Sequence, residues 1–585
     1  MKLLFIGLLL TLGLMIACGS AAPAEPTSGS AAPAEPTSGS AAPAKSPTVA
    51  PKVKQSSPAQ AKAQPTAIPQ SAAQPVAAEI GGTVTIMQAV WGNQLFDTRD
   101  ASAEVRRYGQ LVHGFWIANN KNMEMIPGIA ESWELSDDGL TWTFVIREGV
   151  KFHDGSVLTV DDAHFTMTDS FVPDAFASKS SGFGRKRDTV EITGPNSVAF
   201  TLKESDTSMA NVLSEAFPSS NYGALMPKAY LEKVGRDAYN DEPIGAGAFK
   251  VAEFKRSEKM ILERFDDFYY QPANGFPEDR RPNFQTIDLR LVPESATRAS
   301  AMEAGQADII EANLEVQKQV ERGGGRIFLS PEATYAIVEM NGCYRPELPC
   351  SDINVRHAMN LAIDKELIMS ELYGDAGHAK GWDLVTPSSL GYTPGLDPLP
   401  QDIPEAQRLL AAAGFPGGEG FPKVEIHTWG AGEMPFMPEF AQLIGDMIQE
   451  NLGIETLVKV GESGAVKSAE RSGGLDGHLF VRPNEARYDG GSSMKNTYGD
   501  FDGKSPLSKD PAVRDIVLDA MSVRDPALKK GAYEEMYKVL REQSYAFGPG
   551  YVDLPWGLGP RIASWEAWPM NSNPTAWWTI VIEEK

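Results

Sequence analysis

The clearest alternation of apolar and polar residues lies in the first third of the chain. Residues 140–147 read LTWTFVIR, in which apolar side chains occupy every second position and only Val145 breaks the pattern. Such alternation predicts a β-strand with one buried face and one largely wet face. The preceding run, WELS at 133–136, is joined to it by Asp-Asp-Gly, a composition typical of a tight turn. The two runs therefore predict a β-hairpin.

A helix is predicted shortly after this hairpin. A second turn, HDGS at 153–156, is followed by Thr159, which can cap a helix. Asp162 comes three residues later, where its carboxylate can reach back to free backbone donors. The helix should therefore begin near Val160.

The whole segment at 126–167, IPGIAESWELSDDGLTWTFVIREGVKFHDGSVLTVDDAHFTM, resembles the signature of solute-binding protein family 5. Most of the fixed positions of that signature are present in the same order. The family contains extracytoplasmic receptors of ABC importers for oligopeptides, dipeptides, nickel and some saccharides. The resemblance implies an α/β, two-lobed periplasmic-binding-protein-like fold, of type II and the large three-domain variety, with a hinged interlobe cleft.

Further segments resemble family motifs and follow in the family order. They are PIGAGAFK at 243–250, RASAMEAGQADI at 298–309, VRHAMNLAIDK at 355–365 and IPEAQRLLAAAGFPG at 403–417. The glycines of the first are not a phosphate loop, because the lysine and hydroxyl residue of a nucleotide-binding motif are missing. In the last, Gly414 is the predicted left-handed stop of a helix. Other patterns predict strands at 82–89 and 424–429, a hairpin at 190–203, and helices at 104–117 and 438–452.

The resemblance extends from about residue 81 to the C-terminus and implies a division into lobes. By analogy, residues 81–122, 242–335 and 545–585 form lobe I, residues 123–241 form a subdomain on it, and residues 336–544 form lobe II. Two lobes joined by crossing segments make a hinged clamp. A ligand held between them would bias the clamp towards closure.

Residues 1–18 have the order of a secretory signal: a lysine, an apolar run too short for a comfortable membrane span, and a cysteine. The ACG at 17–19 resembles a bacterial lipobox, although Met15 replaces the more usual leucine. This predicts a lipoprotein signal peptide with Cys18 as the lipidation site. An ordinary signal peptide with an incidental cysteine is the alternative.

Residues 19–78 are of low complexity. GSAAPAEPTS occurs at 19–28 and again at 29–38, and a degenerate copy follows at 39–48. A segment rich in proline, alanine and serine cannot bury enough apolar surface to offset its ordering entropy, so a disordered tether is predicted. Its mean reach as a flexible coil is about 40–45 Å.

Length and charge narrow the classes of function. The 585 residues, of which 42% are hydrophobic, predict two or three domains. The total net charge is −24. Residues 1–78 hold five lysines and two glutamates, a net charge of +3, so residues 79–585 have a net charge of −27. An acidic body argues against nucleic acid and anionic lipid as partners.

Two further cysteines, Cys343 and Cys350, lie seven positions apart in a loop-like stretch. In an exported protein a local disulfide is the leading interpretation, and two free thiols are the alternative. Two cysteines alone would make a poor metal site.

No catalytic motif is assembled in the sequence, and no cofactor is expected. An S-x-x-K at 492–495 lacks the partner motifs of serine acylases. The seven histidines are dispersed, and no two share a helix at positions i and i+4. His153 belongs to the family turn and is interpreted as structural.

Seven residues are candidates for the ligand cleft: Trp91, Trp382, Trp429, Arg482, Glu485, Tyr488 and Tyr551. The tryptophans could stack on a saccharide or an aromatic ligand, with core packing as the alternative for each. In peptide-binding relatives, an aspartate in a G-W-x-x-D-Y type stretch holds the peptide α-amine. The matching region at 475–488 lacks that tryptophan and aspartate. There Glu485 could substitute, while Arg482 and Arg487 would favour an anionic group.

Peptides, saccharides and, through His478, a metal chelate therefore stay open as ligands. The favoured function is a monomeric, lipid-anchored receptor outside the cytoplasm that delivers a small solute to an ABC permease. An exported hydrolase of peptides or glycans is the alternative from another class, and a solute sensor for a signalling partner is a third possibility.

Overall fold

The computed structural model describes residues 81–177, 187–217, 222–383, 385–430, 434–499, 507–566, 568–570 and 575–583. The predicted signal peptide at 1–18, with Cys18, and the predicted tether at 19–78 lie outside the described residues. Among the described residues, no helix combines the length and the apolar content that crossing a bilayer requires.

The strands alternate with helices along most of the chain. They are β1 (Gly81–Gln88), β2 (Ile117–Asn119), β3 (Met125–Pro127), β4 (Ala130–Leu135), β5 (Thr141–Ile146), β6 (Arg187–Gly194), β7 (Ser197–Leu202), β8 (Phe249–Lys255), β9 (Lys259–Arg264), β10 (Phe284–Leu291), β11 (Ile309–Glu311), β12 (Arg326–Met340), β13 (Gly377–His378), β14 (Val424–Trp429), β15 (Thr456–Gly461), β16 (Leu479–Glu485), β17 (Ala546–Leu558), β18 (Ile562–Ser564) and β19 (Val581–Ile582).

The α-helices are α1 (Arg106–Val112), α2 (Val160–Asp169), α3 (Met209–Val212), α4 (Lys228–Val234), α5 (Arg236–Asp241), α6 (Ser295–Glu303), α7 (Gln317–Arg322), α8 (Ile353–Leu361), α9 (Lys365–Tyr373), α10 (Ile403–Ala412), α11 (Met437–Leu452), α12 (Ser463–Arg471), α13 (Gly491–Met494), α14 (Pro511–Ser522) and α15 (Pro526–Gln543). The longer ones carry an apolar stripe that faces a sheet, as in α11, where Phe440, Ile444 and Ile448 are buried.

The largest sheet in the described part of the chain has 11 strands, in the order β15-β14-β16-β12-β17-β11-β1-β10-β9-β8, with β13 paired to β17. The long strands β12 and β17 lie in its middle and pair antiparallel from Arg326–Leu558 at one end to Glu339–Ala546 at the other. Because both strands run through the two halves of the sheet, they connect the halves by covalent chain and by backbone hydrogen bonds.

Buried apolar side chains form three large clusters within the described residues. The N-side core surrounds β1, β9 and β10 and includes Ile86, Leu262 and Leu289. The hairpin core lies on the sheet β4-β5-β7-β6 and includes Trp116 and Phe144. The C-side core surrounds the other end of the large sheet; its members include Tyr335, Ile363, Phe440 and Tyr533.

The hairpin and the capped helix predicted from the sequence are confirmed. Strands β4 and β5 pair Trp133 with Phe144, and alternate residues of β5 are buried. At the start of α2, the backbone N–H of Thr159 donates to Asp162 Oδ2 at 2.8 Å, and both halves of the capping box are present. His153 has a structural contact, because its Nδ1 accepts a hydrogen bond from the backbone N–H of Gly245 at 3.2 Å.

Two predicted helices differ from the structure. The helix expected at 104–117 ends at Val112, because His113 has an extended backbone and the Val112 carbonyl accepts from the distant backbone N–H of Gly247 at 2.9 Å. The chain then enters β2. The stripe at 355–365 is divided between α8 and α9, because the Asp364 side chain accepts from the backbone N–H of Leu367 and caps a new helix.

Cys343 and Cys350 form a disulfide in the structure, with Cα atoms 5.0 Å apart. Both are buried at the edge of the C-side core. The disulfide closes the loop between β12 and α8, directly before the helix that carries the V-R-x-A motif.

Candidate functional site

The segment that follows β16 lies where the C-side half meets the hairpin core. Ala486 is packed with Met123 and Met570, which come from distant parts of the chain. The guanidinium carbon of Arg487 lies 5.1 Å from the centre of the Phe217 ring. This segment belongs to the region that the sequence singled out at 475–488, so the structure places that region at the junction of the two halves.

Buried charges from both halves meet at this junction. Arg106 of α1 is 1% exposed. Burial lowers its pKa to about 10, while the carboxylates of Glu485 and Glu215 act in the opposite direction. Burial also lowers the pKa of Arg487, and Glu485 again opposes this effect. One carboxylate from the C-side half therefore acts on a guanidinium from each half.

A second group of charges lies deeper in the C-side half. Arg482 donates from Nε and Nη2 to Glu339 Oε1, at 3.1 and 2.5 Å. Burial would lower the pKa of Arg482, but the attraction of Glu339 outweighs it and the pKa is raised. Burial raises the pKa of Asp383 to about 6, with Arg482 opposing the shift. The amide of Asn484 donates to Asp383 Oδ1 at 3.1 Å.

A crevice of about 1040 Å³ separates the hairpin sheet from the helices of the C-side half. Its walls hold apolar and polar side chains in similar numbers. The apolar ones include Met125, Trp133, Trp142, Leu390, Tyr488 and Leu528. The polar ones are mostly charged and include Glu134, Asp489, Arg524 and Lys529.

Polar contacts cross from the hairpin side to the C-side half along the floor of this crevice. Lys529 Nζ lies 2.7 Å from Asp489 Oδ2 and donates to the backbone oxygen of Thr207 at 3.1 Å. The Thr207 hydroxyl donates to the backbone oxygen of Met521 at 2.6 Å. Nearby, Lys495 Nζ lies 2.7 Å from Glu204 Oε1. These contacts hold the two sides together.

Of the seven candidate cleft residues, Glu485 and Tyr488 lie at the junction. Glu485 ends β16, and Tyr488 is half-buried and lines the crevice. Tyr551 lies on the central strand β17, where its ring stacks on His378 with centroids 4.7 Å apart. It is 8% exposed and belongs to the C-side core.

The three tryptophans are placed by core packing, which was the alternative interpretation for each. Trp91 is 1% exposed and packs edge-on against Tyr108 in the N-side core. Trp382 donates from Nε1 to the backbone oxygen of Ala546 inside the C-side core. Trp429 lies in a small separate cluster, with Lys467 Nζ 4.7 Å above its ring. In this structure other side chains cover the three rings.

Arg482 has an ion-pair partner within its own half. The sequence favoured it as a partner for an anionic group, but in the structure Glu339 already occupies its guanidinium. Glu339 is 1% exposed, so this pair is internal to the C-side half. Arg487 keeps its place at the junction.

Arg106 and Asp383 were missed by sequence reasoning. Arg106 lies three residues before Gly109 and shares the buried face of α1, and a charge on an apolar helix face is a signal of function. Asp383 follows Trp382 in a short G-W-D string and gave no comparable signal. Its left-handed backbone, with φ of 52°, appears only in the structure.

Residues 124–503 match the family model of the bacterial extracellular solute-binding proteins, family 5, in its middle part. The chain belongs to this family. The match includes the hairpin signature and the segment after β16, which contains Glu485 and Arg487. Arg106 precedes the matched range.

A curated relative of this family 5 protein is the glutathione-binding protein GsiB of Escherichia coli O1:K1 / APEC. The two are 28% identical over 306 residues, which cover 51% of this chain and 55% of the relative. The matched part therefore spans about half the length of the curated protein.

Solved structures share the fold over most of the chain. HbpA2 from Haemophilus parasuis superposes with a TM-score of 0.72 at 19% identity, covering 86% of this chain and 100% of HbpA2. The DppA binding protein from Helicobacter pylori, in complex with the peptide STSA, gives a TM-score of 0.66 at 19% identity and covers 87% and 99%. The predicted α/β, two-lobed periplasmic-binding-protein-like fold is thereby confirmed for this family 5 protein.

Proposed function

We propose that this family 5 protein is a receptor that captures a small peptide-like solute between its lobes and delivers it to an ABC permease. The observation that carries the proposal is the buried junction at which Arg106, Glu485 and Arg487 meet from opposite sides. A solute bound there would contact both halves at once. Contacts of that kind exist only in the closed clamp, so binding would favour closure.

The chemistry of the junction suits a solute with both charged and apolar parts. Glu485 offers a carboxylate for an ammonium group, and the crevice beside Tyr488 offers apolar side chains on one wall. The curated relative is named for glutathione and the DppA structure holds a peptide. Both names support a peptide-like solute over a saccharide.

The lobe boundaries expected from the sequence are part of the proposal. Residues 81–122, 242–335 and 545–585 would form lobe I, residues 123–241 its subdomain, and residues 336–544 lobe II. The three buried cores support this division, since each lies mainly in one of the three parts. Strands β12 and β17 would then be the crossing segments.

A lipid anchor on Cys18 and a tether at 19–78 would keep the receptor at the outer side of the cell membrane. The lipobox-like sequence supports this. Radiolabelled fatty acid should enter the wild-type chain and be absent from Cys18→Ala. Equal labelling of the two proteins would contradict the anchor.

A receptor should bind its solute without changing it. In the described residues no three side chains of His, Cys, Asp or Glu are grouped as metal ligands. The lysine of the S-x-x-K string is ion-paired with Glu204. The curated relative is named as a binding protein, and this name supports binding over hydrolysis.

The test is a ligand panel of peptides, oligosaccharides and metal chelates against the full chain in detergent, read by thermal shift. A peptide should raise the melting temperature with increasing concentration, and mass spectrometry should recover it intact. Glu485→Gln should reduce the shift, whereas Glu419→Gln, an exposed change in the same half, should leave it unaltered. A panel without any stabilising solute would overturn the proposal. Turnover that one cleft substitution abolishes would favour the hydrolase.

A further inference from the structure

Arg106 is a buried cation whose donors are largely unused. Among the described residues, its Nε and Nη1 have no hydrogen-bond partner, although the side chain is 1% exposed. Its Nη2 makes one long contact of 3.5 Å to the backbone oxygen of Glu215. With a pKa of about 10, the group carries its charge at neutral pH. A buried guanidinium in this condition is costly unless an acceptor reaches it.

The charged neighbours of Arg106 do not supply that acceptor. The Glu215 carboxylate is engaged elsewhere, because Arg280 Nη1 and the backbone N–H of Asn119 both donate to its Oε1, at 2.8 and 2.9 Å. Glu485 also acts on Arg487, whose own charge lowers the pKa of Arg106. Glu485 therefore acts on the guanidinium groups of both Arg106 and Arg487, while Glu215 is held by Arg280.

We infer that Arg106, together with Arg487, binds a carboxylate of the solute at the lobe junction. This inference rests on the proposed function, and it names the chemical class that the receptor selects: a peptide-like solute with at least one free carboxylate. The carboxylate would accept from the unused donors of Arg106 in lobe I and would balance the charge of Arg487 in lobe II. Charge-assisted hydrogen bonds of this kind are stronger than neutral ones.

The test offers the full chain two tripeptide libraries of equal composition, one with free C-termini and one with C-terminal amides. Peptides retained after washing are identified by mass spectrometry. The wild type should retain peptides from the free-acid library and, from the amide library, only those with an aspartate or glutamate side chain. That pattern separates a C-terminal carboxylate from a side-chain carboxylate as the group recognised.

Arg106→Gln should weaken binding of the retained peptides by roughly 10- to 100-fold. Arg107→Gln is the matched control, because Arg107 is paired with Glu311 at 2.5 Å and has its partner within its own half. Without solute, Arg106→Gln should melt no lower than the wild type, since it removes a buried charge that lacks partners. Arg106→Lys retains the charge but has fewer donors. Its affinity for the retained peptides should therefore lie between that of the wild type and that of Arg106→Gln.

The outcomes separate the two proposals. Equal retention of neutral amides and free acids would overturn the carboxylate site and leave the receptor function standing. Retention of no peptide from either library would overturn the peptide-receptor function, and the carboxylate inference with it. Unaltered affinity of Arg106→Gln for free acids would also contradict the role of Arg106.

Discussion

At the scale of single residues, two glutamates at opposite ends of one helix have pKa values shifted in opposite directions. Glu470, near the end of α12, is half-buried, and burial together with the nearby Glu339 raises its pKa to about 7. Glu462, at the start of the helix, accepts hydrogen bonds from the backbone N–H groups of Gly464 and Ala465, which lower its pKa. The two side chains therefore contribute to stability in different pH ranges.

Glu470→Gln should stabilise the protein at pH 8 more than at pH 5. The folded state holds a proton on Glu470 up to about pH 7, whereas the unfolded chain loses it near its ordinary value of 4.5. Raising the pH through this window therefore costs the wild type stability, and the glutamine removes that cost. We expect a gain on the order of 1–2 kcal/mol at pH 8, allowing for the partial exposure of the side chain. Urea unfolding at the two pH values measures it.

Glu462→Gln is the matched control on the same helix. It weakens a cap that is fully ionised at both pH values, so it should lower stability equally at pH 5 and pH 8. A pH-independent effect of Glu470→Gln would show that its carboxyl is not the group that titrates in this window.

At the scale of elements, the start of α15 connects the two sides of the crevice. Asp525 caps this helix by accepting from the backbone N–H of Ala527. The first turn then directs Lys529 towards Asp489 and the backbone of Thr207. Together with the hydrogen bond from Thr207 to Met521, these contacts form a latch, defined here as Thr207, Met521, Asp489 and Lys529.

Thr207→Val should loosen this latch while leaving the ion pair of Lys529 and Asp489 intact. It removes one hydrogen bond across the junction and leaves the buried backbone oxygen of Met521 without that donor, a loss of about 1–2 kcal/mol. Without solute, the distance between spin labels on the exposed positions Val157 and Leu457 should increase or become broader. Labels attached through unnatural amino acids spare the native cysteines.

Thr201→Val is the control for the latch. Its hydroxyl pairs with that of Thr141 inside the hairpin sheet, at 3.1 Å, and crosses no junction. The label distance should match that of the wild type. If Thr207→Val also left the distance unaltered, the latch would not determine closure.

At the scale of the whole molecule, two long strands carry the connection between the halves. The pairing of β12 with β17 is irregular between Ser330 and Thr334, and Glu332 there has a φ of 53°. The Glu332 backbone N–H donates to Asp553 at 2.7 Å, and its carboxylate accepts from Ser388. This irregularity interrupts the regular pairing of a continuous sheet. We therefore expect the chain to bend at residues 330–334 between the open and closed states.

The sequence alone determined the elements whose signals are local. The hairpin at 133–147, the capped start of α2, the strand β14 and the helix α11 follow from periodicity, turn composition and capping residues, which act over a few positions. Helix ends were less predictable. At the early end of α1, the Val112 carbonyl accepts from the backbone N–H of Gly247, a contact that no window along the chain contains.

Only the tertiary structure decided which residues reach the site. Tryptophans that looked suited to stacking on a ligand are buried, because aromatic side chains suit a core as well as a ligand and only their neighbours distinguish the two. Arg482 and Arg487 lie in the same short segment of the sequence. Arg482 is ion-paired with Glu339 inside its own half, whereas Arg487 lies at the junction. Arg106 became a candidate site residue only through the fold, which brings it close to Glu485 and Arg487 from a distant segment. The sequence therefore determined the family and the local elements, and long-range packing determined the charges and contacts at the lobe junction.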